Sequence, residues 1–401
     1  THRVGPGGFF PRGLFEVPKM KLSFPSPTSE LPTSSVMIVF GTRPEIVKLA
    51  PLIRRLGDAA YVVHTGQHYD RGMSAVFLQS CGIARVHRQL HVGGLPRAAQ
   101  IGRGAEQIAE AISQIGPKYV VVQGDTNATF AAALAANAAG VRLGHVEAGL
   151  RANDRRMPEE HNRVMVDHIS DDLFAATEAN RSNLLDEGIP DERILVTGNP
   201  VVEAVLRQRA SVESDVEELV HLGVYPDRYV LATLHRQENV DSPENLLATL
   251  HAFNDVASSG WPVVFPVHPR TRAMLADLDA EHLLDALIAE EPFPYERFLA
   301  LAAHAAVLVS DSGGIQEEAT VLARPVLVVR DSTERPEALG TFTKLVTPQT
   351  LAAETATLLA DVENTLLALG SLPSPFGDGR ATERIAAHIH SVVADLFTEE
   401  A

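Results

Sequence analysis

From Met37 onward, short β-branched runs alternate with longer Ala- and Leu-rich stretches, and this alternation constrains the fold more than any other feature. The runs are MIVF at 37–40, YVVH at 61–64, YVVV at 119–122, VLAT at 230–233, VVFP at 263–266, VLVS at 307–310 and VLVV at 326–329. They lack the in-out polar alternation of a half-exposed strand. Continuously apolar runs of this length, each followed by helical sequence, predict parallel strands covered on both faces by crossover helices. The predicted class is α/β, doubly wound. The alternation pauses between about Val201 and Tyr229, where LRQRASVESDVEELVHLGV and the turn-like Pro226-Asp227 precede a fresh strand. Two Rossmann-like lobes are therefore expected, over 37–205 and 206–379, with a ligand cleft beyond the carboxyl ends of the strands. The first 36 residues carry six prolines and no sustained periodicity, and read as an irregular extension without the basic n-region and unbroken apolar core of a secretory signal.

Composition narrows the partners. Fifty-one acidic against 34 basic residues leave a net charge of −17, which repels nucleic acid and anionic lipid unless cations cluster. The single cysteine, Cys81, can form no internal disulfide, and no apolar run approaches the ~20 residues a bilayer requires. The expectation is a cytoplasmic protein that binds neither nucleic acid nor membrane. If such a chain handles an anion, its cations and helix N-termini must converge in one place.

Several strand ends offer that place. The first strand runs into Gly41-Thr42-Arg43-Pro44-Glu45, with Lys48 further along the helix; two cations near a helix N-terminus suit phosphate oxygens. The competing reading is a capped helix with solvated charges. VLVS leads into Asp311-Ser312-Gly313-Gly314, where a hydroxyl and two glycine amides stand at a helix N-terminus and suit a diphosphate, while Glu318 one turn later suits ribose hydroxyls. VVFP ends in Val267-His268-Pro269-Arg270, and VLAT leads to His235-Arg236 on the same edge.

Acids at strand ends form a second set. Asp125 follows YVVV, Glu147 follows VRLGHV, and Pro158-Glu159-Glu160-His161-Asn162-Arg163 opens a helix whose inward stripe is predicted as Val164, Met165, His168 and Ile169. Convergence of these carboxylates would raise one pKa by burial and mutual repulsion, making one a proton donor and another a base. Asp125 and Glu160 also suit turn or first-turn positions, whereas a carboxylate directly after a buried strand, as at Glu147, is costly unless paired or used. No HExxH, CxxC or GxSxG motif occurs, and no metal or other cofactor is expected.

GTRPEIVKLAP, QGDTNATFAAALAA, HVEAGLR, PEEHNR, GNPVVEA, PVHPRT, SDSGGIQEEA, DSTERPE and PFGDGRATERI stand in the order found in the non-hydrolysing UDP-N-acetylglucosamine 2-epimerases, and the resemblance runs from Met37 to about Val393. It implies a GT-B-like fold whose C-terminal helix, 380–398, returns to the first lobe. It implies interconversion of UDP-GlcNAc and UDP-ManNAc without a nicotinamide cofactor or metal, through elimination of UDP to a 2-acetamidoglucal and readdition. By motif it assigns catalysis to Asp125, Glu147, Glu160 and His235. Nucleotide contacts fall to Arg43, Lys48, His268, Ser312, Gly313, Gly314 and Arg335, with Glu318 on the ribose. Family members are usually homodimers. Three segments depart from the common bacterial pattern: Thr65-Gly66-Gln67-His68-Tyr69-Asp70 replaces TAQHR, which in bacterial members helps bind an activating second UDP-GlcNAc, and the ANDRRM and ALGTFTKLV loops are shorter. The hexosamine accepted is thus left open. The alternatives are a hydrolysing epimerase releasing UDP and ManNAc, a GT-B glycosyltransferase, and a nucleotide-sugar sensor without turnover. The first lacks a kinase-like segment within these 401 residues, the second is not expected to show HVEAGLR with PEEHNR, and the third would have lost an acid.

Overall fold

The computed structural model describes residues 31–67, 77–211 and 215–399. The predicted extension before residue 31 and the His68–Asp70 segment lie outside the described residues.

Two all-parallel sheets carry the fold. The first has seven strands: β1 (Val36–Phe40), β2 (Ala60–His64), β3 (Arg88–Gln89), β4 (Tyr119–Gln123), β5 (Arg142–Ala148), β6 (Asp172–Ala175) and β7 (Ile194–Val196), in the order β3-β2-β1-β4-β5-β6-β7. The second has six: β8 (Val230–Thr233), β9 (Val263–Pro266), β10 (Ile288–Glu290), β11 (Val307–Ser310), β12 (Val326–Val329) and β13 (Thr343–Val346), in the order β10-β9-β8-β11-β12-β13. Every residue of β1, β4, β9, β11 and β12 is buried. The apolar runs are therefore continuous because helices cover both faces. The architecture is the expected one, two Rossmann-like lobes of GT-B type.

Strand order reverses between β1 and β4 in the first sheet and between β8 and β11 in the second. Neighbouring connections depart to opposite faces at such switch points and leave a crevice at the carboxyl ends. The turns after β1 and β4 carry Gly41–Glu45 and Gly124–Thr126, and those after β8 and β11 carry His235 and Asp311–Gly314. Topology thus brings the sequence motifs to two crevices.

The chain crosses between the lobes twice. One crossing, 196–200, leads into a helix over Pro200–Ser211 that packs on helix α1 (Arg43–Leu56) of the first lobe and on the helix Gly313–Leu322 of the second. The other enters the C-terminal helix Ala381–Glu399, whose Ile385, Ile389 and Val393 join Val36 and Ile38 in the first lobe's core. Asn199 N donates to Phe376 O at 2.8 Å where the crossings meet. Gly377 has φ +114 there, and a side chain on it would lie 3.0 Å from Gly198 Cα, so only glycine fits. Among the described residues no helix is long and apolar enough to cross a membrane.

Candidate active site

The most constrained residue at the first crevice is Glu147. Its φ is +67, in the left-handed region that few non-glycine residues adopt, and the pairing of β5 with β6 shifts register between Val146 and Ala148. This bulge re-aims the last side chains of the strand. The Glu147 carboxylate, 4% exposed, meets the Lys48 ammonium, receives a 2.6 Å hydrogen bond from Asn199 Nδ2 and another from Gln123 Nε2. Strain and burial at one carboxylate are expected where the surrounding structure over-determines a functional group.

Lys48 reaches across to the second lobe, 2.8 Å from Glu317, and Arg335 Nε donates to the other Glu317 oxygen at 2.6 Å. Asn199 bridges the same two carboxylates, 3.1 Å from Glu317. Burial works against the charged Glu147, but Lys48 and then Arg335 override it and hold its carboxyl below the usual range. Burial instead wins at Glu317, whose carboxyl is raised despite Arg335 and Lys48. Two carboxylates sharing one ammonium are thus driven apart, with Glu147 the firmer anion. Of the three acids among which the sequence reading left donor and base open, Glu147 is held low, because a cation from α1 stands beside it.

Asp125 and Glu160 do come together, through Arg163, a residue to which sequence reasoning gave no role. Arg163 NH2 pairs with Asp125, and NH1 lies 2.5 Å from Glu160 Oε2. Asp125 keeps part of its carboxylate accessible, whereas Glu160 is buried and accepts from Ala152 N at 3.0 Å and Asn153 N at 2.9 Å. Glu160 therefore pins the 151–157 loop. The helix Pro158–Ile169 turns Glu160, Asn162, Arg163, Val166 and Asp167 inward, while Met165 and His168 are exposed. The expected stripe holds only in part: Val164 and Ile169 are half-buried, Ile169 against the core, while Met165 and His168 give way to polar side chains that find partners inside.

In the second lobe, Asp311 is buried at the end of β11 and accepts from the backbone N–H of His235 and Arg236 and from Asn239 Nδ2. His235 Nδ1 lies 3.0 Å from Asp311 Oδ1, so the ring's other nitrogen faces away from the carboxylate. Burial opposes the ionised Asp311, but His235 and the backbone donors keep it below the usual range. The exposed His268 accepts from Arg270 N at 3.2 Å, and its ring lies 6.4 Å from that of His235. Ser312 occupies the N-cap of the helix Gly313–Leu322, yet its hydroxyl makes no capping bond. A side chain at Gly313 would lie 2.4 Å from Arg335 NH1 and 2.6 Å from Glu334, whereas Gly314 is open on that side.

The remaining predicted contacts are placed as follows. Arg43 is exposed with its guanidinium 5.7 Å over Phe77. Lys48 is buried in a cross-lobe ion pair with Glu317, and Arg335 is buried in pairs with Glu317 and Glu334 of its own lobe, rather than turned toward open space. Glu318 accepts from Tyr295 OH at 2.9 Å, and burial pushes its carboxyl up to about 7. The partners that sequence reasoning missed, Asn199, Glu317, Arg163 and Asp311, all lie within quoted motifs. The readable signal was that each motif acid needs a donor nearby.

Glu45 links two of these turns. One oxygen accepts from Gly41 N, Thr42 N and Thr42 Oγ1, the other from Thr126 and Thr129 hydroxyls. Burial pushes its carboxyl from the usual 4.5 up to about 7, against those donors. The folded chain then holds a proton that the unfolded chain releases near pH 4.5. The stability from this group is fully present below about pH 4.5 and is lost as pH rises through about 7, by on the order of 3 kcal/mol. Glu45→Gln, which stays neutral, is expected to flatten the pH dependence of the unfolding midpoint across that window; parallel curves would refute the assignment.

Residues 54–390 match the family model described as UDP-N-acetylglucosamine 2-epimerase. The UDP-N-acetylglucosamine 2-epimerase of Methanococcus maripaludis is 37% identical over 354 residues, covering 86% of this chain and 95% of that one. The crystal structure of the Methanocaldococcus jannaschii UDP-GlcNAc 2-epimerase in complex with UDP-GlcNAc and UDP superposes with a TM-score of 0.79 at 36% identity, covering 89% of this chain and 99% of that one. The Neisseria meningitidis UDP-GlcNAc 2-epimerase bound to UDP-GlcNAc gives 0.81 at 32% identity, covering 89% and 99%. With its fold, the order of its motifs and these matches over most of its length, this chain belongs to the UDP-N-acetylglucosamine 2-epimerase family.

Proposed function

We propose that the protein interconverts UDP-GlcNAc and UDP-ManNAc by exchanging the proton at C2, with elimination and readdition of UDP. The carrying observation is Glu147: a carboxylate kept ionised in a nearly dry crevice, at a strained strand end, within one network that joins both lobes.

In this reading a carboxylate takes the C2 proton as the C1–O bond to the diphosphate breaks. The electron pair of the C–H bond becomes the C1–C2 double bond of a 2-acetamidoglucal, and UDP leaves with the electrons of the C1–O bond. Readdition of UDP with a proton delivered to the opposite face inverts C2. Because that proton is a poor acid, stabilising the departing diphosphate carries much of the barrier. His268, Ser312, Gly313 and Gly314 at the second crevice supply donors for it, with Arg43, Lys48 and Arg335 as surrounding cations and Glu318 toward the ribose. Two faces need two proton-exchanging groups or one that moves. Glu147 and Asp125 fill those roles, Glu160 holds the adjoining loop, and His235, oriented by Asp311, stands on the facing lobe. The two lobes, joined by the crossing at 196–200 and by the one that enters the C-terminal helix, would close on the substrate. We infer a cytoplasmic homodimer as the working form; burial pushing the Cys81 thiol up to about 11 suits a protein whose one cysteine has no redox task.

The test is incubation with UDP-GlcNAc in deuterated water, followed at C2 by NMR. UDP-ManNAc bearing deuterium at C2 is the expected product. Free ManNAc with UDP would replace this reading by the hydrolysing one, and an unchanged substrate despite UDP binding would overturn it for this hexosamine.

A further inference from the structure

We infer that Asp167 and His145 form a buried positioning dyad that locks the turn carrying Asp125 to the turn carrying Glu147. The inference rests on the epimerase reading, which makes those two carboxylates the proton-exchanging groups.

Both side chains are completely buried. His145 Nδ1 lies 2.7 Å from Asp167 Oδ1, and its Nε2 lies 2.8 Å from Gly124 O. A carbonyl oxygen only accepts, so Nε2 carries a hydrogen and donates to the residue immediately before Asp125. The second Asp167 oxygen accepts from Gly149 N at 3.1 Å, two residues after Glu147, and meets Arg151 NH1 at 2.7 Å. One carboxylate thus reaches the β4 turn through the imidazole and the β5 turn directly.

The same helix face adds a second hold on the first turn. Asn162 Nδ2 donates to Asp125 O at 2.8 Å, and Arg163 pairs with the Asp125 carboxylate. The turns are also joined by Gly124 N donating to Val146 O at 3.0 Å. Burying an imidazole, a carboxylate and a guanidinium is costly, and apolar side chains of the same volume would fill the space at less expense. What apolar residues would not do is fix two strand-end turns relative to each other. Displacement of a reacting group by about 1 Å costs roughly 10²-fold in rate, so such fixing is worth its desolvation at this edge of the sheet.

The experiment compares His145→Leu, His145→Gln and His145→Asn with the wild type, measuring kcat and KM for UDP-GlcNAc and, separately, the Kd of UDP. Gln retains a donor toward Gly124 O, Asn one toward Asp167, and Leu neither. The expected result is a fall in kcat of about 10²-fold for Leu, with KM and the UDP Kd changed less than about threefold, and recovery of about tenfold in kcat with Gln. A wild-type kcat in the Leu variant, a Gln variant no better than Leu, or a loss of UDP binding in parallel with kcat would overturn the dyad. Should the Leu variant not yield soluble protein, Gln and Asn decide: both must lose kcat at unchanged UDP Kd, and a wild-type kcat in either refutes the proposal. An inactive wild type would remove the functional reading itself, whereas an active wild type with indifferent variants would remove only the dyad.

Discussion

Glu147→Gln is expected to lower kcat by roughly 10³-fold or more while leaving the Kd of UDP within about threefold. The amide preserves shape, its oxygen can still accept from Lys48 and Asn199, and its NH2 can be met by Gln123 turning its own buried, unpartnered oxygen toward it, so the main loss is the proton acceptor. Of the nucleotide's proposed partners, His268 and Ser312–Gly314 stand on the other lobe and keep their surroundings, and Lys48, which loses one charged neighbour, keeps its pairing with Glu317. Asp125→Asn is expected to cost about 10²-fold by the same logic, with the smaller effect because Asp125 is more accessible and already shared with Arg163. The diagnostic measurement is deuterium incorporation at C2 alongside turnover. If Glu147→Gln keeps full activity, the strained carboxylate is structural. If it loses UDP binding in proportion to kcat, its role lies in holding Lys48 rather than in proton transfer.

The strands were legible where burial is two-sided. VLAT, VVFP, VLVS and VLVV delimit β8, β9, β11 and β12, because a strand covered on both faces is apolar throughout. β3 and β10, two and three residues long at the sheet edges, leave no such run. The site was legible as a collection of strand ends and illegible as a set of pairs. Lys48 and Glu317 lie 269 positions apart, and nothing in either motif says that the cation of one answers the acid of the other. Lys48 therefore reads as an anion contact, although its nearest anions are side chains. The helix Pro158–Ile169 shows the converse: Met165 suits an interior by hydropathy, but Arg163 and Asp167 occupy it because their partners are there.

Lys48→Met is expected to destabilise the protein by roughly 3–5 kcal/mol, because it leaves Glu147 and Glu317 buried and short of their shared cation. The cost should fall on the interface between lobes. Glu147 and Lys48 belong to one sheet's edge and Glu317 to the other's, so the unpaired acids can regain water only if the lobes part. The expected readouts are a lower unfolding midpoint and a larger radius of gyration by X-ray scattering. Glu317→Gln in the Lys48→Met background removes one of the two charges, and the double variant should recover at least about 1 kcal/mol relative to additivity. Additive effects, or an unchanged radius in Lys48→Met, would show that the network stabilises each lobe separately. Non-additivity would tie two properties that have no obvious connection in sequence. The ammonium that holds Glu147 ionised also reaches Glu317 across the lobes; parting the lobes would leave Lys48 beside Glu147 but withdraw Arg335, the second cation that holds this carboxyl low, and so would move its proton affinity as well as the fold's stability.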